Sequence, residues 1–154
     1  MPRVRRVRCL SAVYAVLAAA LAVSGCDEKL SDLTGPSPNL GPTFASVRTE
    51  ILETTDAAGR TSCVTCHTDQ GRVPAGNLNL RIDPYHALVN VGSRQRAGEI
   101  LVVPGNPDAS YLIKKLEGRE GISGLRMPRN GPPYLTAGQM VVIRRWIEVG
   151  APDN

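Results

Sequence analysis

Cys63-Val64-Thr65-Cys66-His67 spells C-x-x-C-H, and its reading decides what kind of fold surrounds it. Two thiols three positions apart on one helical turn reach the two vinyl groups of a single porphyrin and become thioethers. The imidazole that follows directly then lies beneath the iron as an axial ligand. The stretch is therefore read as the attachment site of one covalently bound haem c, with Cys63 and Cys66 as thioether links and His67 as the proximal iron ligand. Two other chemistries use paired cysteines. A tetrahedral zinc site needs two further ligands, and His86 is the one remaining histidine. A thioredoxin-like redox pair belongs in a βαβ unit, and the flanking sequence has no such alternation.

The N-terminus points to the same chemistry by another route. Arg3, Arg5, Arg6 and Arg8 precede an apolar run from Cys9 to Val23, a charged segment and hydrophobic stretch of signal-peptide type, too short to span a bilayer comfortably. Val23-Ser24-Gly25-Cys26 resembles the lipobox of bacterial lipoproteins, so residues 1–25 are expected to be removed and Cys26 to carry lipid. Attachment of c-type haem takes place outside the cytoplasm, so an export signal and C-x-x-C-H require each other. The expected location is the cell envelope or periplasm, anchored to a membrane. With Cys9 lost and Cys26 lipidated, Cys63 and Cys66 are the last of the four cysteines, leaving none for a disulfide or a catalytic thiol.

The formal charge of +4 has the same origin. Four of the eighteen Lys and Arg stand in the signal, and the fourteen that remain balance fourteen acidic residues that all follow Cys26. The mature chain is near neutral, which gives no support to a nucleic-acid partner.

Residues 26–42 are rich in Pro, Gly and Ser and read as a flexible tether. Residues 43–154 are one domain's worth of chain, expected to be all-α with short helices and long loops. Phe44, Val47 and Ile51 recur at i, i+3 and i+7 and predict a helix from about Thr43 to Glu53. Asn77-Leu78-Asn79-Leu80 alternates like a short extended piece. Asp83 followed by Pro84 opens a short helix, and Pro107 is expected to open another carrying Tyr111, Leu112 and Leu116. Thr136 and Gln139 form a capping box for a last helix that stops at Gly150. Along it Met140, Ile143 and Ile147 share one face, with Val142, Trp146 and Val149 on the neighbouring stripe. One Phe and one Trp are a thin aromatic supply for such a core, and a buried porphyrin would make up the difference.

Three side chains are candidates for the sixth iron position: His86, Met127 and Met140. Met140 lies on an inward helical stripe, where methionine is ordinary core filling. His86 stands early in a short helix whose inward residues are Leu88 and Val89. Met127 lies in Gly124-Leu125-Arg126-Met127-Pro128, a loop without helical periodicity in which Pro128 stiffens the backbone presenting the sulfur. Met127 is the expected distal ligand, with His86 as the alternative.

The C-terminal half carries Pro104-Gly105-Asn106-Pro107-Asp108-Ala109-Ser110-Tyr111-Leu112, then Met127-Pro128, then Ile143-Arg144-Arg145-Trp146-Ile147-Glu148-Val149-Gly150-Ala151. In that order these segments resemble a bacterial variety of class I-type monohaem cytochrome c domain. The resemblance implies first and last helices that cross beside the haem, and a loop methionine as distal ligand.

A His67/Met127 pair implies a six-coordinate, low-spin iron that moves single electrons and performs no catalysis. The expected partners are redox proteins of the respiratory chain or envelope, and the membrane through the N-terminal lipid. A haem subunit of a larger membrane oxidoreductase is the alternative; a gas or redox sensor or a peroxidase-like enzyme would need an open sixth position. Pro74 is a candidate to accept a hydrogen bond from the far nitrogen of His67, and Arg126 and Arg129 to pair with propionates or an acidic partner.

Overall fold

Thr136 starts the last helix with a complete capping box. Its hydroxyl accepts from the Gln139 backbone N–H at 3.2 Å, and the Gln139 side chain accepts from the Thr136 N–H at 3.0 Å. The other end closes as a Schellman motif: Ala151 N–H donates to the Trp146 carbonyl at 2.9 Å, and Gly150 N–H to that of Ile147 at 3.0 Å. The reversal needs Gly150 at φ 101°, a backbone conformation that costs glycine little.

The computed structural model describes residues 40–56 and 59–154. The signal segment, Cys26 and the tether up to residue 39 lie outside the described residues. The described chain forms α1 (Phe44–Ser46), which continues as a π-helical segment (Val47–Leu52), then α2 (Pro84–Leu88), α3 (Tyr111–Glu117) and α4 (Ala137–Glu148). Short 3₁₀ turns occupy Cys63–Thr65 and Ala75–Asn77, and long loops fill the rest. Two isolated bridges, Val89 with Val102 and Gly92 with Ile100, are the β pairing seen among the described residues.

The helix expected from Thr43 is present, capped by the Thr43 hydroxyl accepting from Ser46 N–H at 3.1 Å. Its second half is wider than an α-helix, with Glu53 N–H reaching back five residues to the Arg48 carbonyl at 3.0 Å. Consecutive Ile51 and Leu52 are both buried there. The helix expected at Asp83-Pro84 also forms, with the Asp83 carboxylate accepting from His86 N–H at 3.2 Å.

Three sequence expectations need correction. The helix assigned to Pro107 begins four residues later, at Tyr111. Pro107 to Ala109 form a turn instead, because Asn106 Oδ1 takes the Ala109 N–H and the Asn106 carbonyl takes the Ser110 hydroxyl. The wholly buried Ser110 hydroxyl also accepts from Val103 N–H at 2.9 Å. The extended piece expected at Asn77 to Leu80 is cut short at its start: Asn77 ends a 3₁₀ segment at φ 54°, Leu78 behind it is extended, and residues 78–80 belong to no helix or strand. On α4, Val149 is 62% exposed, since it falls at the helix cap where the Schellman turn rotates it outward.

The core joins the two ends of this domain. Phe44 of α1 packs against Trp146 of α4 at 5.3 Å between ring centroids and edge-on against Tyr85 of α2 at 5.2 Å. Contacts of this kind add roughly 0.5–1.5 kcal/mol to simple burial. The polar tips of both partners are satisfied, Trp146 Nε1 donating to the Pro152 carbonyl and Tyr85 hydroxyl to that of Ala151. The Pro104–Pro107 turn docks on the same helix, with Gly105 N–H donating to the Ile147 carbonyl at 2.7 Å.

On the surface, Asp108 and Glu117 are each shared by Arg119 and Arg144, a closed ring of four charges linking the Asn106–Ser110 turn, α3 and α4. The two guanidinium groups lower the Asp108 carboxyl from 3.8 to about 2. A carboxylate depressed on folding stabilises above its unfolded value and loses that contribution as pH falls through its folded one. The protein is expected to lose stability between pH 3.8 and about 2, and Asp108→Asn to flatten that part of the profile, read as the urea midpoint against pH at low salt. Identical profiles for the two proteins refute the assignment. The group is exposed, so added salt shrinks the difference.

Candidate functional site

Arg60 organises the approach to the motif. It is wholly buried, and its Nε donates to Asp56 Oδ2 at 3.0 Å while its backbone N–H donates to Asp56 Oδ1. Nη2 donates to the carbonyls of Ile51 and Thr54, both at 3.2 Å, and Nη1 lies 4.0 Å from Cys63 Sγ. One fork thus ties the end of the π-helical segment to the start of C-x-x-C-H. Burial pushes the Cys63 thiol above its ordinary value, although the Arg60 charge opposes this. Cys66 is exposed.

The motif itself is a tight helical turn. Cys66 N–H and His67 N–H both donate to the Cys63 carbonyl, at 3.2 and 3.0 Å, which places Cys63 one turn before the imidazole. Two bonds hold the next loop against it: Ala75 N–H to the Cys66 carbonyl at 3.1 Å and Leu80 N–H to the His67 carbonyl at 2.9 Å. Burial lowers the His67 pKa, outweighing the backbone of Ala75 and Leu78, which favours a proton on the ring; Lys115 adds a smaller lowering. A neutral imidazole is the form that ligates metals. Its Nδ1 is buried without a well-formed hydrogen bond.

Met127 borders the same space. Its N–H donates to the Lys115 carbonyl at 2.9 Å, which sets the loop against α3. Cys63, Cys66, His67 and Met127 together line one cavity of about 930 Å³, near the top of the roughly 300–1,000 Å³ range of cofactor pockets. Val47, Ile51, Leu80, Leu88, Leu116 and Ile143 supply apolar walls. Across the mouth, Asn130 Nδ2 donates to Thr61 Oγ1 at 3.0 Å, joining the loop after Met127 to the loop before Cys63.

The other candidates lie elsewhere. His86 is largely exposed, bonded to the Asp83 carboxylate at 3.0 Å, and faces a separate shallow cleft beside Phe44 and Asn154. Met140 is half-buried against the core and does not line the cavity. Arg129 lines the cavity, whereas Arg126 donates Nε to the Leu116 carbonyl at 2.7 Å and stacks over Tyr134 at 3.9 Å. The Pro74 carbonyl accepts from Asn77 N–H at 2.9 Å and takes no bond from His67; the 3₁₀ turn that follows claims it.

Comparison with protein families, with curated proteins and with solved structures found no match.

The fit of a haem therefore rests on this chain's own residues. An apolar cavity, two thiols and a neutral imidazole on one turn, and a thioether on a second loop are the donors and walls that such a group needs. Among the described residues no cluster of three or more His, Cys, Asp or Glu is placed to hold a metal ion, so the zinc alternative finds no donor set there. Sequence reading missed Arg60, Tyr111 and Lys115 as parts of this site. Lys115 had one legible signal: it stands four residues after Tyr111, on the apolar stripe of α3.

Proposed function

We propose that this protein is a monohaem c-type cytochrome of class I type, tethered in the cell envelope, that carries single electrons between redox partners. The observation that carries the reading is the meeting of Cys63, Cys66, His67 and Met127 in one apolar cavity. When bound, the haem iron supplies a one-electron couple, poised towards the reduced state by a thioether ligand.

The chain's part is to fix and shield that centre. Cys63 and Cys66 hold the group covalently, so it stays in place whichever redox state it is in. His67 is kept neutral by burial and oriented by the turn that carries it. Met127 is held from α3, and the apolar walls exclude water that would compete for the metal. Such a closed site favours electron transfer over substrate chemistry. The signal at 1–25 and lipidation at Cys26 would place the domain on the outer side of a membrane, with residues 27–42 as its tether.

The ferric protein is expected to show the red-edge sulfur-to-iron charge-transfer band. Met127→Ala should abolish it and lower the reduction potential by on the order of 0.1 V, within the roughly 0.8 V that axial ligands command. Met140→Ala and His86→Ala should leave the band intact. Rapid carbon monoxide binding by the unmodified ferrous protein contradicts the closed site and favours a sensor or an enzyme.

A further inference from the structure

Burying a lysine needs a reason. Lys115 is 7% exposed and has no carboxylate partner among the described residues; its ammonium donates instead to the carbonyls of Ser123 at 2.8 Å and Leu125 at 2.6 Å. Desolvating an ammonium is costly, and two carbonyl acceptors offset part of that cost. Both acceptors belong to the loop that ends at Met127. The Lys115 carbonyl accepts from Met127 N–H at 2.9 Å, so one residue grips the loop by side chain and backbone together. One turn earlier, the buried Tyr111 hydroxyl accepts from Ser123 N–H at 2.8 Å. Both side chains line the same cavity as Met127 and His67.

We infer that Lys115 and Tyr111 are positioning residues that clamp the 123–127 loop onto α3 and thereby hold Met127 at the cavity that His67 also lines, where it would serve as a ligand. The inference rests on the reading of Met127 as an iron ligand, but the clamp itself does not. A methionine on an unanchored loop would sample positions away from the metal, since a thioether is a weak ligand and supplies little restraint of its own. Four bonds from one helical face (Lys115 Nζ twice, the Lys115 carbonyl and Tyr111 Oη) replace that missing restraint. Apolar packing alone would not fix the loop in this way, because Leu125 at its middle is 61% exposed.

The test uses the full, haem-loaded protein with Lys115→Met, which keeps length and removes the donors, and Tyr111→Phe, which removes one acceptor. Amide hydrogen exchange reads the clamp, and the ferric sulfur-to-iron band with the reduction potential reads Met127. In Lys115→Met, exchange across 123–127 should quicken about tenfold or more, with the band weakened, the potential lowered and carbon monoxide bound faster. In Tyr111→Phe the Ser123 amide alone should quicken, with a smaller loss of band. If Lys115→Met does not fold, Tyr111→Phe decides by itself, and unchanged Ser123 exchange overturns the clamp. Wild-type exchange, band and potential in a folded Lys115→Met overturn the proposal outright. A parent protein without the band overturns the ligand role of Met127, whereas exchange that still responds to Lys115→Met supports the clamp.

Discussion

Replacing Cys63 and Cys66 together by serine is expected to give a chain that holds no covalent haem and unfolds without a cooperative transition. The reason lies in where the cavity sits. Val47, Ile51, Leu88, Leu116 and Ile143 line it and also belong to the hydrophobic core, so among the described residues the cavity wall and the core are one structure. A cavity of 930 Å³ at about 24 cal/mol per Å³ corresponds to roughly 20 kcal/mol of lost contact. Even a quarter of that, allowing for the open mouth, rivals the about 5–15 kcal/mol by which whole domains are stable. In such a protein the binding energy of the group is folding energy. Haem staining on a denaturing gel and a thermal melt followed by far-UV circular dichroism read both parts. A double variant that melts cooperatively near the parent temperature would show that the chain folds without its group, and the cavity would need another explanation.

Arg60→Met is expected to cost about 3–5 kcal/mol, the usual penalty for removing one partner of a buried ion pair. Asp56 then keeps a carboxylate, 11% exposed at its side chain, beside the carbonyls of Ile51 and Thr54 that have lost their donor. Arg60→Lys should recover only part of the loss, because one ammonium cannot serve both the carboxylate and carbonyls spread around a planar fork. Denaturant unfolding of the haem-loaded protein measures the difference. A loss below about 1 kcal/mol would mean that the fork is solvated in solution and that the loop before Cys63 is held by something else.

Much of this architecture is legible in the sequence, and the parts that are not share a cause. The start of α1 at Thr43, the capping box at Thr136 and Gln139, the Asp83-Pro84 opening and the stop at Gly150 are local signals, and local bonds realise each of them. The turn at Cys63 to His67 is likewise readable from its spacing. Pro107 misleads because Asn106 and Ser110 compete for the same backbone groups through their side chains, which a proline rule does not weigh. Arg60 is invisible in advance: its five side-chain bonds reach as far back as Ile51, and nothing in Gly59-Arg60-Thr61 marks it as buried. The placing of His86 outside the cavity and Met127 within it depends on how the loop before Cys63 and the loop after Met127 meet, with Thr61 and Asn130 lying 69 residues apart in sequence, which no periodicity encodes.

Four of the bonds that hold the Met127 loop to α3 end on its backbone, at the N–H groups of Ser123 and Met127 and the carbonyls of Ser123 and Leu125, and a fifth starts from the Arg126 side chain. Side-chain identity at Ser123 and Leu125 is therefore largely free to vary, whereas Gly124 at φ 69°, the Arg126 guanidinium and the Met127 sulfur are each used. Tolerance to substitution is unevenly divided between two neighbouring segments. Ser123 and Leu125 in the loop that displays the sulfur can be rewritten, and Tyr111 and Lys115 on the seven-residue helix beneath it cannot.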